Sequence, residues 1–301
     1  TQGVSSAASD VYKRQIQKRV VERKVYTMTQ GRAPAARRVR SWTALLYTGG
    51  VGLVILVSML PLIIVFVAAF TKTSGPVMQW GSWSLASMQR ALHGAPEPIL
   101  NSLKFASLAT VTGVAFAVLV SYLTIKKRSA FTQVLDYIVV LPLTISGTVL
   151  GIALVQTFNT GWLVLAGTSG IMVLCYAVRR LPFAVRNASS VLFNIPDSIE
   201  EASISLGVSP LMTFFKVILP AMKASIISAA ILMWLTTISE LSASIVAYSG
   251  GLETMPIAIF RQVDGGRLGM ASAYGAALVT VIVLPIIVSV KAFRIKLFSG
   301  K

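Results

Sequence analysis

Cysteine, histidine and acidic side chains are scarce in this chain, and each shortage closes off a class of function. One cysteine, Cys175, stands among 301 residues, so neither a disulfide nor a multi-cysteine metal site can form within a single chain. Its place in an apolar run marks a buried, inert thiol. The one histidine, His93, is followed by Gly94, Ala95 and Pro96. A solvent-exposed imidazole is expected there, because a metal centre would need ligands from elsewhere. Asp and Glu number 10 against 27 Lys and Arg, and charged residues make up only 12% of the chain, about half the share usual in soluble domains. No glycine-rich loop ending in Gly-Lys-Ser/Thr occurs, which removes that device for cradling nucleotide phosphates. With no serine-histidine, paired-aspartate or metal-ligand constellation in the apolar runs, neither catalysis nor a cofactor is expected.

What fills the chain instead is apolar. Hydrophobic residues make up 55% and the mean hydropathy is +0.76. Runs of about 20 apolar residues match the hydrocarbon thickness of a bilayer, and such runs recur here between charged or Gly/Pro-rich breaks. Six transmembrane helices are expected, over 44–70, 102–125, 134–158, 162–178, 224–248 and 271–293. The expected fold class is therefore an all-α integral membrane bundle, with lipid as its surroundings.

The formal net charge of +17 would suggest nucleic acid if it formed a folded basic face, but the basic residues sit in short clusters at the ends of apolar runs. Ten Lys and Arg precede the first run, three form the turn Lys126, Lys127 and Arg128, and four lie at the carboxy-terminal end from Lys291 onward. Five more, Arg179, Arg180, Arg186, Lys216 and Lys223, lie between the fourth and fifth runs, against Lys72, Arg90, Lys104, Arg261 and Arg267 on the opposite side. This asymmetry predicts that both termini and the segment 179–223 are cytoplasmic. Trp80, Trp83, Trp162 and Tyr248 fall near the expected interfaces, as an aromatic belt does. The ten methionines are spread without a cluster and read as packing.

The expected organisation has three parts. Residues 5–15, SSAASDVYKRQ, read as the in-frame translation of a sequencing adapter, so 1–15 are set aside as an artefact. A basic cytoplasmic arm follows over 16–43, and then a membrane domain over 44–298 with one long cytoplasmic loop, 187–222.

That loop is too polar to cross and too patterned to be a tether. Asp197 and Glu200 have capping-box spacing, which predicts a helix start with the Asp side chain accepting from first-turn amides and Glu200 reaching back. Gly207 supplies the left-handed residue that ends a helix, and Ser209-Pro210 restarts one with a serine cap and proline at the first position. A second helix is expected to carry Leu211, Met212, Phe214, Phe215, Val217 and Ile218 until Pro220 stops it. The hairpin would present Leu206, Met212, Phe214 and Phe215. An amphipathic hairpin lying on the lipid surface is the alternative.

Glu201-Ala202-Ser203, then Gly207, then Val217-Ile218-Leu219-Pro220 resembles the EAA loop of ABC importer permeases, with Ser203 in place of a second alanine and Val217 in place of isoleucine. In that family the loop forms coupling helices that dock on the ATP-binding subunit. The resemblance thus implies a six-helix type I permease bundle in a bacterial inner membrane, two ATP-binding subunits, a periplasmic solute-binding protein and a second permease half. It assigns Glu201, Ala202, Ser203, Gly207, Val217, Leu219 and Pro220 to the coupling loop. Ile238-Ser-Glu240-Leu-Ser-Ala-Ser, the stretch 253–260 and the arm 19–31 resemble the ferric-iron branch, the arm being similar to the linker between halves of fused permeases. Ferric iron is the solute so implied, with phosphonate, thiamine, sulfate and polyamine as alternatives.

Glu240 lies inside the fifth expected span, where a carboxyl needs the bundle interior, water or a partner. It is the candidate for the translocation path, the other reading being a carboxyl that holds this span against Ser or Thr of the third or fourth. An ion-coupled secondary transporter using Glu240 is the rival mechanism, and it leaves the hairpin without a purpose. Asp136 is expected to pair with Lys126, Lys127 or Arg128. The periplasmic loop 249–270, with Gly250, Gly251, Gly265 and Gly266 around Arg261 and Asp264, is expected to be a set of solvated turns, with contact to the binding protein as the alternative.

Overall fold

A computed structural model describes residues 41–292. The adapter-like segment, the arm up to residue 40 and the tail from 293 lie outside the described residues. The chain divides into two units, Thr1–Leu60 and Pro61–Lys301, with the boundary inside the first helix, α1 (Ser41–Ala69).

In the first unit α1 carries Leu45, Leu46, Val54, Ile55 and Leu56 exposed, as suits a helix whose neighbour is lipid. In the second unit the chain continues from Pro61 to a short antiparallel hairpin, β1 (Thr71–Ser74) and β2 (Val77–Trp83). The helix α2 (Ala86–Gln89) leads through a single wide turn, Arg90–Gly94, into α3 (Glu97–Lys126). The exposed His93 lies in that turn. Next come α4 (Ala130–Thr144), α5 (Gly147–Thr157) and α6 (Ser169–Phe193). Ser129 and Thr132 cap α4 reciprocally, and the Thr168 side chain accepts from the Gly170 amide at the start of α6, so both starts satisfy first-turn donors.

The hairpin follows as α7 (Asp197–Ser205) and α8 (Pro210–Ala221), and then α9 (Lys223–Ile238), the short α10 (Ser244–Ala247), α11 (Met255–Asp264) and α12 (Leu268–Ala292). Among the described residues three helices, Trp42–Ala69, Glu97–Lys126 and Leu268–Ile287, are long and apolar enough to cross a bilayer. Two bent pairs, α4 with α5 at 114° and α8 with α9 at 70°, bring the number to five if each is one span.

The expected helices differ from this in three places. The run 134–158 is interrupted at Ile145 and Ser146. The run 162–178 opens in non-helical chain, and its helix α6 starts at Ser169 and continues to Phe193. Arg179, Arg180 and Arg186 thus belong to the same helix as the end of that run. The run 224–248 is helical only to Ile238, breaks over 239–243 and resumes as α10.

Four apolar clusters hold the second unit together, two of them large. One joins Val114, Val118, Val185 and Leu192 of α3 and α6 to Phe214, Ile218, Met222 and Met233. The other joins Phe105, Ile171, Met172, Cys175 and Tyr176 to Ala243, Ala247 and Ile257. The tip of the Met233 side chain of α9 fills the space over Gly113 of α3, where a β-carbon would lie 2.2 Å from Met233 Cε.

Candidate functional site

The hairpin is built from its turn outward. Gly207 has φ +85°, its amide donates to the Ile204 carbonyl at 2.9 Å and the Val208 amide donates to the Ser203 carbonyl at 3.2 Å. This is the αL helix ending that its sequence predicted. Ser209 caps α8 by accepting from the Met212 amide, with Pro210 in the first turn, also as expected. Between the two helices Ser203 and Thr213, both buried, share a hydroxyl hydrogen bond of 2.9 Å. Ser203, one of the two departures from the EAA pattern, thus ties the two helices of the hairpin together.

The start of α7 is held differently from expectation. Pro196 occupies the cap position and no side chain caps the helix. Glu200 is buried instead, accepting from the Tyr122 hydroxyl at 2.8 Å and from Lys127 Nζ at 3.0 Å. Lys126 donates to the Ile195 carbonyl and to the exposed Asp197 carboxylate. The hydrogen bond from Lys126, and next its charge, hold the Asp197 carboxyl below its ordinary value. The capping box gives way because Tyr122 and the lysines at the end of α3 offer both carboxylates stronger, charge-assisted partners. Those lysines are therefore taken, and Asp136 pairs with Arg186 at 3.3 Å instead.

At the hairpin's tip Leu206 is 84% exposed and Leu211 72%, with Met212 and Phe215 also outward. Phe214, expected among the presented residues, is buried, with its ring 4.7 Å from that of Tyr122. The reason is a π-turn over Phe214–Ile218, which rotates one aromatic inward. Pro220 does not stop α8. It sits in the first turn of its last segment, which runs to Ala221 before the bend. Glu201 and Ala202 face outward, Val217 and Leu219 are half-buried and Pro220 is exposed.

A second cluster lies at the break after α9. Glu240 is 2% exposed and binds two arginines from the middle of α6. Arg180 Nη2 donates to Glu240 Oε2, and Arg179 Nε lies 3.3 Å from the same oxygen. The Ala243 amide donates to Glu240 Oε1 at 3.3 Å, and the Ser244 hydroxyl donates to the Glu240 carbonyl at 2.9 Å. The partner across the helices is thus a pair of arginines rather than a Ser or Thr. Arg179 also donates to the Ile145 carbonyl at 3.2 Å, so the breaks at 145–146 and 239–243 meet at one place. Glycines permit this. A β-carbon at Gly151 would lie 2.6 Å from the Ala243 carbonyl oxygen, and one at Gly147 would lie 2.5 Å from Ser242 Cβ. Arg179 and Arg180, counted in the sequence as interface charges, are the residues that pattern reading missed. The signal was available: two adjacent arginines directly after one apolar run, with a carboxylate deep inside another.

The loop 249–270 is only in part the set of solvated turns expected, with Gly250, Gly251, Gly265, Arg261 and Asp264 exposed. It folds into α11, with Met255, Ile257 and Ala258 buried. Asn101 donates to the Gly251 and Glu253 carbonyls at 2.9 and 3.0 Å, and the Met255 amide donates to the Ser102 hydroxyl at 2.7 Å.

The family described as "Binding-protein-dependent transport system inner membrane component" matches residues 109–295. Among curated relatives, the ferric transport system permease protein FbpB of Actinobacillus pleuropneumoniae is 26% identical over 219 residues, covering 72% of this chain and 32% of that protein. The chain thus spans about a third of that relative's length. The putative 2-aminoethylphosphonate transport system permease protein PhnV of Salmonella choleraesuis (strain SC-B67) is 29% identical over 245 residues, covering 80% of this chain and 90% of that one. Among solved structures, a bacterial ABC transporter involved in the import of the acidic polysaccharide alginate superposes with a TM-score of 0.62 at 16% identity, covering 87% of this chain and 99% of that chain. With a match that includes the hairpin and the break around Glu240, the chain belongs to the family of inner membrane components of binding-protein-dependent transport systems.

Proposed function

We propose that this chain is the translocating permease half of an ABC importer, and that α7 and α8 are its coupling helices. Two ATP-binding subunits close on ATP, move this hairpin and its counterpart on a second permease half, and switch the bundle between inward- and outward-open states. A periplasmic binding protein delivers the solute, and both termini lie in the cytoplasm across six crossings. The observation that carries the reading is the hairpin itself: its base is anchored to α3 through Glu200, Tyr122 and Lys127, while its tip offers Leu206 and Leu211 to a partner. A rigid lever with an apolar end transmits a rigid-body motion that a slack loop would dissipate. In this reading Glu201, Ala202, Ser203, Gly207, Val217, Leu219 and Pro220 shape the docking element.

Ferric iron is the solute favoured by the similarity to FbpB, and the similarity to PhnV keeps a phosphonate as the second choice. Thiamine, sulfate and polyamine are further alternatives within the same mechanism. The reading is tested in proteoliposomes containing the full transporter and its binding protein. Uptake requires ATP hydrolysis and the loaded binding protein, whereas uptake driven by an ion gradient without ATP would replace this mechanism with secondary transport.

A further inference from the structure

The charge cluster at the helix breaks is not balanced. One carboxylate, Glu240, faces two guanidinium groups, Arg179 and Arg180. Arg180 Nε is buried without a hydrogen-bond partner among the described residues, and Arg179 Nε, equally buried, is held only by its ion pair at 3.3 Å with Glu240 Oε2. Buried donors of charged groups are costly to leave unpaired. Thr237, whose carbonyl accepts from the Glu240 amide, likewise keeps a buried hydroxyl without a partner. The two arginine side chains are still 20% and 19% exposed, so the cluster is not sealed by this chain.

Besides the Ile145 carbonyl that accepts from Arg179, the surroundings add positive potential. Gly147 begins α5, and Ser146 makes no side-chain cap there. A β-carbon at Gly147 would lie 3.0 Å from Arg179 Cζ, so this guanidinium lies against the positive end of a helix. Irregular backbone at membrane depth is tolerated where it is buried in protein or lines a cavity. Two such breaks, 145–146 and 239–243, converge on these arginines. Broken helices that aim their ends at one point are how membrane carriers build solute sites.

We propose that Arg179 and Arg180 are the solute contact of this permease and that they take an anion, either an oxyanion or an anionic metal chelate, with Glu240 as the resident counter-ion that the solute displaces. This rests on the permease reading and narrows it: iron, if it is the cargo, crosses as an anionic complex rather than as a bare cation. Arg180 is the principal contact, since a planar guanidinium can bind an oxyanion bidentately. Glu240 keeps that binding weak enough for release. Its removal tightens binding and slows flux.

The test uses the full chain in phosphatidylcholine nanodiscs, with sodium tungstate as the oxyanion probe against chloride at equal ionic strength. Tungstate raises the unfolding midpoint of the wild type, and it raises that of Glu240→Gln further, by about 5 °C at roughly a hundredfold excess over Kd. Arg180→Gln shows no shift, and Arg180→Lys, which keeps the charge, recovers part of it. Equal responses of Glu240→Gln and Arg180→Gln, or no response in any variant, would reduce the cluster to a structural latch and overturn the proposal. A shift in Glu240→Gln saturated by phosphatidylglycerol alone would assign the site to a lipid headgroup and also overturn it. Copurification of the ATP-binding subunit is scored separately. Its retention without a tungstate shift removes only the anion, and its loss removes the permease reading.

Discussion

Two buried glutamates, Glu200 in the hairpin and Glu240 at the helix break, are 6% and 2% exposed and are held in opposite ways. Glu200 has one ammonium and one hydroxyl converging on the same oxygen, so its charge is matched by a single neighbour. Glu240 stands alone between two guanidinium groups, and Arg180 Nε beside it is buried without a hydrogen-bond partner among the described residues. A matched, hydrogen-bonded buried charge fixes one arrangement, whereas an unmatched one leaves the cluster open to a further ion. The first suits a lever and the second suits a site.

The largest expected effect breaks the unmatched cluster. Replacing Glu240 by Gln strands both arginines and costs about 3–5 kcal/mol in chloride, measured as the loss of unfolding free energy in detergent. In the assembled transporter the same variant lowers flux without lowering subunit assembly, and normal flux would return Glu240 to packing. Glu200→Ala follows, at about 2 kcal/mol, because the Tyr122 hydroxyl loses its acceptor while Lys127, half-exposed, can turn to water. Hydrogen exchange should then report opening of α7 with α9 unchanged.

Gly207→Val comes third. At φ +85° a side chain costs roughly 1–2 kcal/mol, with a β-branched residue at the upper end. Membrane insertion persists while copurification of the ATP-binding subunit falls, and wild-type recovery of that subunit would remove the coupling role of the turn. The smallest effect belongs to Asp197. Its carboxyl pKa is depressed by Lys126, so the stabilisation is present at neutral pH and is lost as pH falls below the ordinary value of 3.8 through the depressed one. Asp197→Asn should therefore differ from the wild type in hairpin protection at pH 7 and converge with it in acid.

The hairpin was legible in the sequence wherever local chemistry decides the backbone. Gly207 ends a helix and Ser209-Pro210 starts one whatever surrounds them. The cap at Asp197 was misread because the winning partners, Tyr122 and Lys126, lie more than 70 residues away in the chain. The apolar runs gave the membrane helices, but the breaks at 145–146 and 239–243 carry neither Gly nor Pro, so no punctuation announced them. They exist because Gly147 and Gly151 let the broken strand of chain sit against α5, and because Arg179 and Arg180 bind there. Arginines at the end of an apolar run look like interface charges until the helix is known to continue.

The central claim, that the tip of the hairpin docks an ATP-binding subunit, is tested most directly by Leu211→Cys. Leu211 is 72% exposed while the one native thiol, Cys175, is fully buried, so a thiol-directed photo-cross-linker reports from a single place. The account predicts a cross-linked product between this chain and the ATP-binding subunit in native membranes, with a yield that changes when ATP is trapped. Labelling that yields lipid adducts alone, with the assembled transporter present, would contradict it and lay the hairpin on the membrane surface.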